Sequence, residues 1–162
     1  ETALIVASLD TLERATGTRP TGWLSIARSQ SFHTADLLQA AGVDYMCDWV
    51  NDEMPYRFNN GIINLPLNHE LSDRQIIVVQ QHSADSYAQQ MADAFDWLAG
   101  EAITQCAGRM LPLHITPYIM GLPYRIDALE RLIAQLSARR EAWFATGGDI
   151  VRQWAMQQDE PS

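Results

Sequence analysis

Apolar positions recur at helical spacing through Leu4, Ala7, Ser8, Leu9, Leu12 and Ala15, and Gly17 stands where the pattern stops. A period near 3.6 closed by a glycine predicts an amphipathic helix over residues 2–16. The run TGWLSIA is short, apolar and bounded by turn residues, which predicts a strand near 21–26. TADLLQAAG, opening at Thr34 and ending at Gly42, predicts a short helix, and VDYMCDWV the next strand. Residues 51–73 break the rhythm with NDEMPYRFNNG, IINLPL and NHELSD, a long loop with one strand near 62–65. IIVVQQ at 76–81 fits either a strand or a buried helix, since a short β-branched run carries no period that separates the two. Tyr87, Met91, Phe95, Leu98 and Ala102 mark a long helix from Ala84 to about Cys106, closed by Gly108. Beyond it, RMLPLHI predicts a strand, IDALERLIAQLSARR a helix, WFAT a strand and GGDIVRQWAMQQ a last helix, with DEPS a frayed tail.

Strands alternating with helices on this scale predict an α/β fold. Its parallel sheet is covered by helices and presents ligand chemistry at the carboxyl ends of the strands. At 162 residues and 47% hydrophobic, the chain is long enough for one domain spanning 1–162 with a sizeable core. It shows no internal repeat and no low-complexity segment. It opens in mid-helix, on Glu1, with no capping residue or entry strand ahead, and the expectation is that the parent protein continues upstream.

The formal net charge of −9 argues against a phosphate-backbone partner, because nucleic-acid binding needs a basic surface that releases counterions. All eleven basic residues are arginine, which leaves no amine here for Schiff-base or P-loop chemistry. Cys47 and Cys106 lack the spacing of a zinc site or a disulfide framework, so a reducing cytoplasm is the expected compartment. No apolar run approaches the roughly 20 residues that span a bilayer, and no membrane partner is expected.

Polar groups fall at the ends of the expected strands: Trp23 and Ser25, then Asp48 and Trp49 with Asn51 and Asp52, then His114, then Thr146. In a parallel sheet these share one rim. A carboxylate such as Asp48 beside His114 would raise the imidazole pKa and fix its tautomer, making it a donor to a leaving group. The same pair also reads as a core histidine and a turn residue, and spacing alone does not choose. Glu70 and Asp73 in NHELSD either bind polar groups of a substrate or cap the helix that follows. His33, His69, His82 and His114 form no metal motif by spacing, and His33 and His82 read as local structure. Among the tryptophans, Trp49 beside Asp48 is the candidate for a pocket wall.

Six segments in this order, RPTGW, CDWVNDEMPY, LPLNHELSD, FDWL, LHITPYIMG with PYRI, and WFATGGDI, resemble the polysaccharide deacetylase (NodB-like) family. The nearest branch is the one with allantoinase-like and peptidoglycan-deacetylase-like proteins. The likeness runs over nearly the whole chain. It implies a deformed (β/α) barrel, of which these residues are the C-terminal part, and hydrolysis of a non-peptide carbon–nitrogen bond in an N-acetyl sugar, an amide or a cyclic ureide. The family's strand-end histidine, its general acid, falls on His114. The acidic residue of its DW motif, which tunes that histidine, falls on Asp48, and the tryptophan lining the groove falls on Trp49. Trp23, Asn51, Asp52, Glu70 and Tyr118 are the further candidates for the groove.

Two positions depart from the pattern. Leu24 and Ile26 stand where the family carries an arginine and a proline. The family's catalytic aspartate and its Asp-His-His metal ligands precede the residues present here. The resemblance therefore implies no cofactor within this chain and leaves a divalent metal to the full-length protein. The expected activity is that of a deacetylase-like or amidohydrolase-like enzyme, lost or nearly lost in the isolated chain. A non-catalytic carbohydrate- or ligand-binding barrel domain is the rival, favoured by Leu24 and Ile26. The expected partners are a small molecule or glycan and, at the exposed sheet edge of a partial barrel, a second copy or the missing N-terminal half.

Overall fold

The computed structural model describes residues 1–159; of the expected DEPS tail, residues 160–162 lie outside the described residues. By contacts the chain divides into two compact units, Glu1–Leu67 together with the chain from Ala145 onward, and Asn68–Phe144.

The first unit opens with helix α1, Thr2–Thr16, which ends as expected: Gly17 takes the left-handed conformation (φ 75°) and returns its N–H to the Glu13 carbonyl. Of the face read in the sequence, Leu9 alone is buried. Ile5 and Leu9 face the core, whereas Leu4 and Leu12 are exposed. Strand β1 (Gly22–Trp23) pairs in parallel with β2 (Tyr45–Met46), and β2 in parallel with β4 (Ile63–Asn64). Strand β3 (Tyr56–Arg57) pairs antiparallel with β4, so the sheet order is β1-β2-β4-β3 and the sheet is mixed rather than wholly parallel. Gly22 is required at its position: a Cβ there would lie 2.2 Å from the Tyr45 ring. Helix α2 (Thr34–Ala40) buries Leu38 against Ile5, Leu9, Val43, Met46 and Ile62. Burying each such aliphatic side chain stabilises by about 1.5–3 kcal/mol.

The second unit is helical. IIVVQQ resolves as a π-type helix over Arg74–Val79, with Ile76 and Ile77 buried and Val78 and Val79 exposed. Helix α3, Ala84–Gln105, starts at Ser83, whose side chain accepts the Ser86 N–H. It ends at Gln105, within a residue of the expected end, and the closing left-handed residue is Cys106 (φ 51°) rather than Gly108. A short helix α4, Pro117–Met120, replaces the expected loop. Its proline sits in the first turn, where a missing N–H costs nothing. Helix α5, Ile126–Ser137, packs Ala128, Leu132 and Leu136 on Tyr87, Met91 and Ala92. Helix α6, Gly147–Asp159, returns to the first unit, where Arg57 lies over the Trp154 ring.

RMLPLHI and WFAT do not join the sheet, which has four strands among the described residues and does not close. The first of these still packs apolar side chains on a core. Leu111, Leu113 and Ile115 pack on the second unit's core at strand period, while Pro112, without an N–H, removes a donor that a ladder would use. The architecture is thus mixed α/β.

Candidate functional site

In the first unit the carboxyl end of β1 meets that of β2 through side chains. Asp48 is 4% exposed. Its Oδ1 accepts the Ser25 backbone N–H at 2.7 Å and its Oδ2 accepts the Ser25 hydroxyl at 2.6 Å. Ser25 Oγ in turn accepts the Trp23 indole N–H at 3.0 Å. A buried carboxylate is tolerable where ionised hydrogen bonds replace water, and both oxygens are so occupied. After Ser25 the chain turns through Ala27 (φ 52°) and Arg28 (φ 55°), two consecutive non-glycine residues in the left-handed region. The Arg28 guanidinium donates to the Leu67 carbonyl. Leu24 and Ile26 are exposed.

Trp49 is held from two sides. Asn64, wholly buried on β4, accepts the Trp49 N–H (3.3 Å) and donates to the Trp49 carbonyl (2.9 Å), extending the β2–β4 pairing by a side chain. The exposed indole donates to Gln30 Oε1 at 3.0 Å and meets Phe58 edge-on at 6.1 Å, with Tyr56 edge-on to Phe58 at 5.3 Å. Asn51 accepts the Tyr56 hydroxyl at 2.8 Å. Asp52 is spent locally, its Oδ1 accepting the N–H groups of Glu53 and Met54. Beside Asp48, the Cys47 thiol is pushed up to about 11 by burial and then by the Asp48 charge, so it stays protonated at neutral pH.

The second unit holds His114, Glu70 and Tyr118. His114 is half-buried, and its Nδ1 is buried without a hydrogen-bond partner among the described residues. Its carbonyl accepts the Asp73 N–H at 3.2 Å. The expected cap at NHELSD is made by Ser72, whose hydroxyl accepts the Gln75 N–H, and not by Asp73. Asp73 is fully buried and binds Thr116 instead. Glu70 is exposed, with its N–H on Asn68 Oδ1. Tyr118, 71% exposed, follows on the first turn of α4.

The structure therefore brings Trp23 to Asp48 through Ser25 and, within the second unit, His114 to Asp73. Asn64 and Thr116 were missed by sequence reasoning, and Asp73 was read as a substrate contact or a cap rather than as the partner of Thr116. Each pairs with a residue 15 or 43 positions away, and no local spacing signals such a bond. Among the described residues no group of three or more His, Cys, Asp or Glu side chains is placed to hold a metal ion. No helix among them is long and apolar enough to cross a membrane.

With the geometry in place, comparison with known proteins yields a consistent class. No family model matches the chain. A Schizosaccharomyces pombe protein named "Putative polysaccharide deacetylase" is 24% identical over 121 residues, covering 67% of this chain and 38% of the yeast protein. The crystal structure of Puue allantoinase superposes with a TM-score of 0.87 at 27% identity, over 99% of this chain and 54% of that one. A structure named "putative polysaccharide deacetylase", from Mycobacterium smegmatis, superposes with a TM-score of 0.80 at 20% identity, over 99% of this chain and 58% of that one, a likeness of fold. The chain is similar to proteins of the polysaccharide deacetylase (NodB-like) family, as the six segments indicated, and these relatives are hydrolases of the deacetylase and amidohydrolase type. It spans little more than half the length of the solved structures it matches.

Proposed function

We propose that these residues belong to a hydrolase of non-peptide carbon–nitrogen bonds in which His114 donates the proton to the leaving nitrogen. The observation that carries the reading is the likeness to an allantoinase over 99% of the chain at 27% identity. Among the described residues the Nδ1 of the half-buried His114 has no hydrogen-bond partner, so that ring nitrogen is not committed to a structural bond there. Trp49, exposed and braced by Phe58 and Gln30, offers an apolar face to a sugar ring or a flat ureide. Asp48 acts by holding Ser25 and Trp23 at the same strand ends.

The test uses the product of the reading frame that contains these residues, assayed on allantoin and on N-acetylglucosamine oligomers. His114→Gln should lower kcat by about 10²- to 10⁴-fold, the usual contribution of a positioned acid. An unchanged rate on the substrate turned over would remove the assignment. The purified 162-residue chain should show no turnover, since its described side chains assemble neither a metal site nor a second catalytic group. Measurable hydrolysis by that chain would overturn this part alone.

A second reading, a ligand-binding domain without chemistry, draws on Asp48. Both its oxygens are committed to Ser25, as in a purely structural aspartate. Binding of these ligands by the reading-frame product with no turnover of any would favour it.

A further inference from the structure

The segment 109–116 carries His114, and among the described residues no strand ladder holds it. Leu113 and Ile115, on either side of His114, pack on the core of the second unit, but apolar contact does not fix the height or twist of a backbone. Directional bonds come from Asp73. Its N–H donates to the His114 carbonyl at 3.2 Å, its Oδ2 accepts the Thr116 N–H at 2.6 Å, and its Oδ1 accepts the Thr116 hydroxyl at 2.9 Å. One residue thus grips the segment at His114 and again two residues later.

Asp73 does not cap the helix that follows it, whose start is served by Ser72. It is nonetheless 0% exposed, and a buried carboxylate is retained only where its hydrogen bonds offset the lost hydration. The Tyr87 hydroxyl, buried and without a hydrogen-bond partner among the described residues, is pushed up to about 12 by burial and then by the nearby Asp73.

We propose that Asp73 is the positioning residue of His114, setting the backbone from which the imidazole projects by clamping Thr116 and the His114 carbonyl. The functional sense of this clamp rests on His114 being the proton donor; the clamp itself does not.

The test is nuclear magnetic resonance on the 162-residue chain labelled with ¹⁵N, with His114 assigned by comparison with H114Q. In the wild type the His114 ring should occupy one tautomer and the Thr116 amide should exchange slowly. Asp73→Asn, which puts a donor where an acceptor is needed, and Thr116→Val, which removes one donor at nearly constant volume, should speed Thr116 exchange about tenfold or more and mix the ring tautomers. Amides of α5 should be unaffected. Thr116→Ser keeps both donors and should behave as wild type, which a packing role for the threonine methyl would not allow. An unaltered ring and unaltered exchange in folded D73N or T116V overturn the proposal. In the reading-frame product, D73N should cut kcat by about a hundredfold with KM unchanged. Turnover that survives H114Q while D73N loosens the ring removes the acid and leaves the clamp. Turnover lost in H114Q with an undisturbed ring in D73N does the reverse.

Discussion

Asp48 and Ser25 offer the sharpest energetic test of the first unit. The aspartate takes two hydrogen bonds from one serine, at 2.7 and 2.6 Å, in a site where Asp48 is 4% and Ser25 9% exposed. Bonds to a charged group contribute about 1.5–3 kcal/mol each. Asp48→Asn keeps one acceptor and turns an N–H donor toward the Ser25 hydroxyl, so it should cost about 2–3 kcal/mol. Ser25→Ala leaves Asp48 Oδ2 and the Trp23 indole N–H without their partner, and should cost about as much. Once either is made, the other has less to lose. The double variant should therefore fall short of the sum of the singles by about 1–2 kcal/mol. Urea denaturation at neutral pH would measure this in a Trp97→Phe, Trp143→Phe background, which confines the fluorescence to Trp23, Trp49 and Trp154 of the first unit. Additivity within about 0.5 kcal/mol would show that the two side chains do not share an energetic unit, whatever their distance.

Three further outcomes follow from the same physics. The Cys47 thiol is raised to about 11 in the folded chain, so its contribution is full below the ordinary thiol value and is lost as pH climbs through about 11. Thermal midpoints should drop across that window by less in Cys47→Ala than in the wild type, and parallel pH curves would contradict the buried-thiol assignment. Cys106→Gly removes the steric penalty of a left-handed residue at the end of α3 and should stabilise by about 1 kcal/mol, read as a raised urea midpoint. The open four-stranded sheet leaves β1 and β3 as edges, and size-exclusion chromatography should show concentration-dependent self-association; a monomer at every concentration would show the edges to be protected.

How much was legible beforehand varies with the range of the interaction. Helices α1, α2, α3, α5 and α6 were visible because periodicity and a stop signal lie within a few turns of chain. The end of α3 was set by Cys106, which took a left-handed conformation that glycine adopts more readily, and α5 stopped at Ser137, short of the expected Arg140. Gly17 and Gly42, both at positive φ, marked their helix ends correctly. The strands were legible as extended apolar runs, but not as pairings. RMLPLHI alternates as a strand should, and the absence of a ladder beside it depends on chain that arrives from elsewhere. The antiparallel β3 lay hidden in MPYRF because a two-residue strand carries no period.

The sequence by itself determined the mixed α/β class and the acidic, lysine-free composition, since each depends on local pattern or bare composition. Tertiary structure alone decided what the buried polar residues do. Asp48 is bound to Ser25 across 23 residues, Asn64 continues a sheet with its side chain, and Asp73 leaves a helix start to its neighbour and grips the segment that carries His114. The physical reason is the same in each case. A buried polar group must find its partner wherever the folded chain presents one, and hydrogen bonds between distant residues leave no periodicity for a sequence to display.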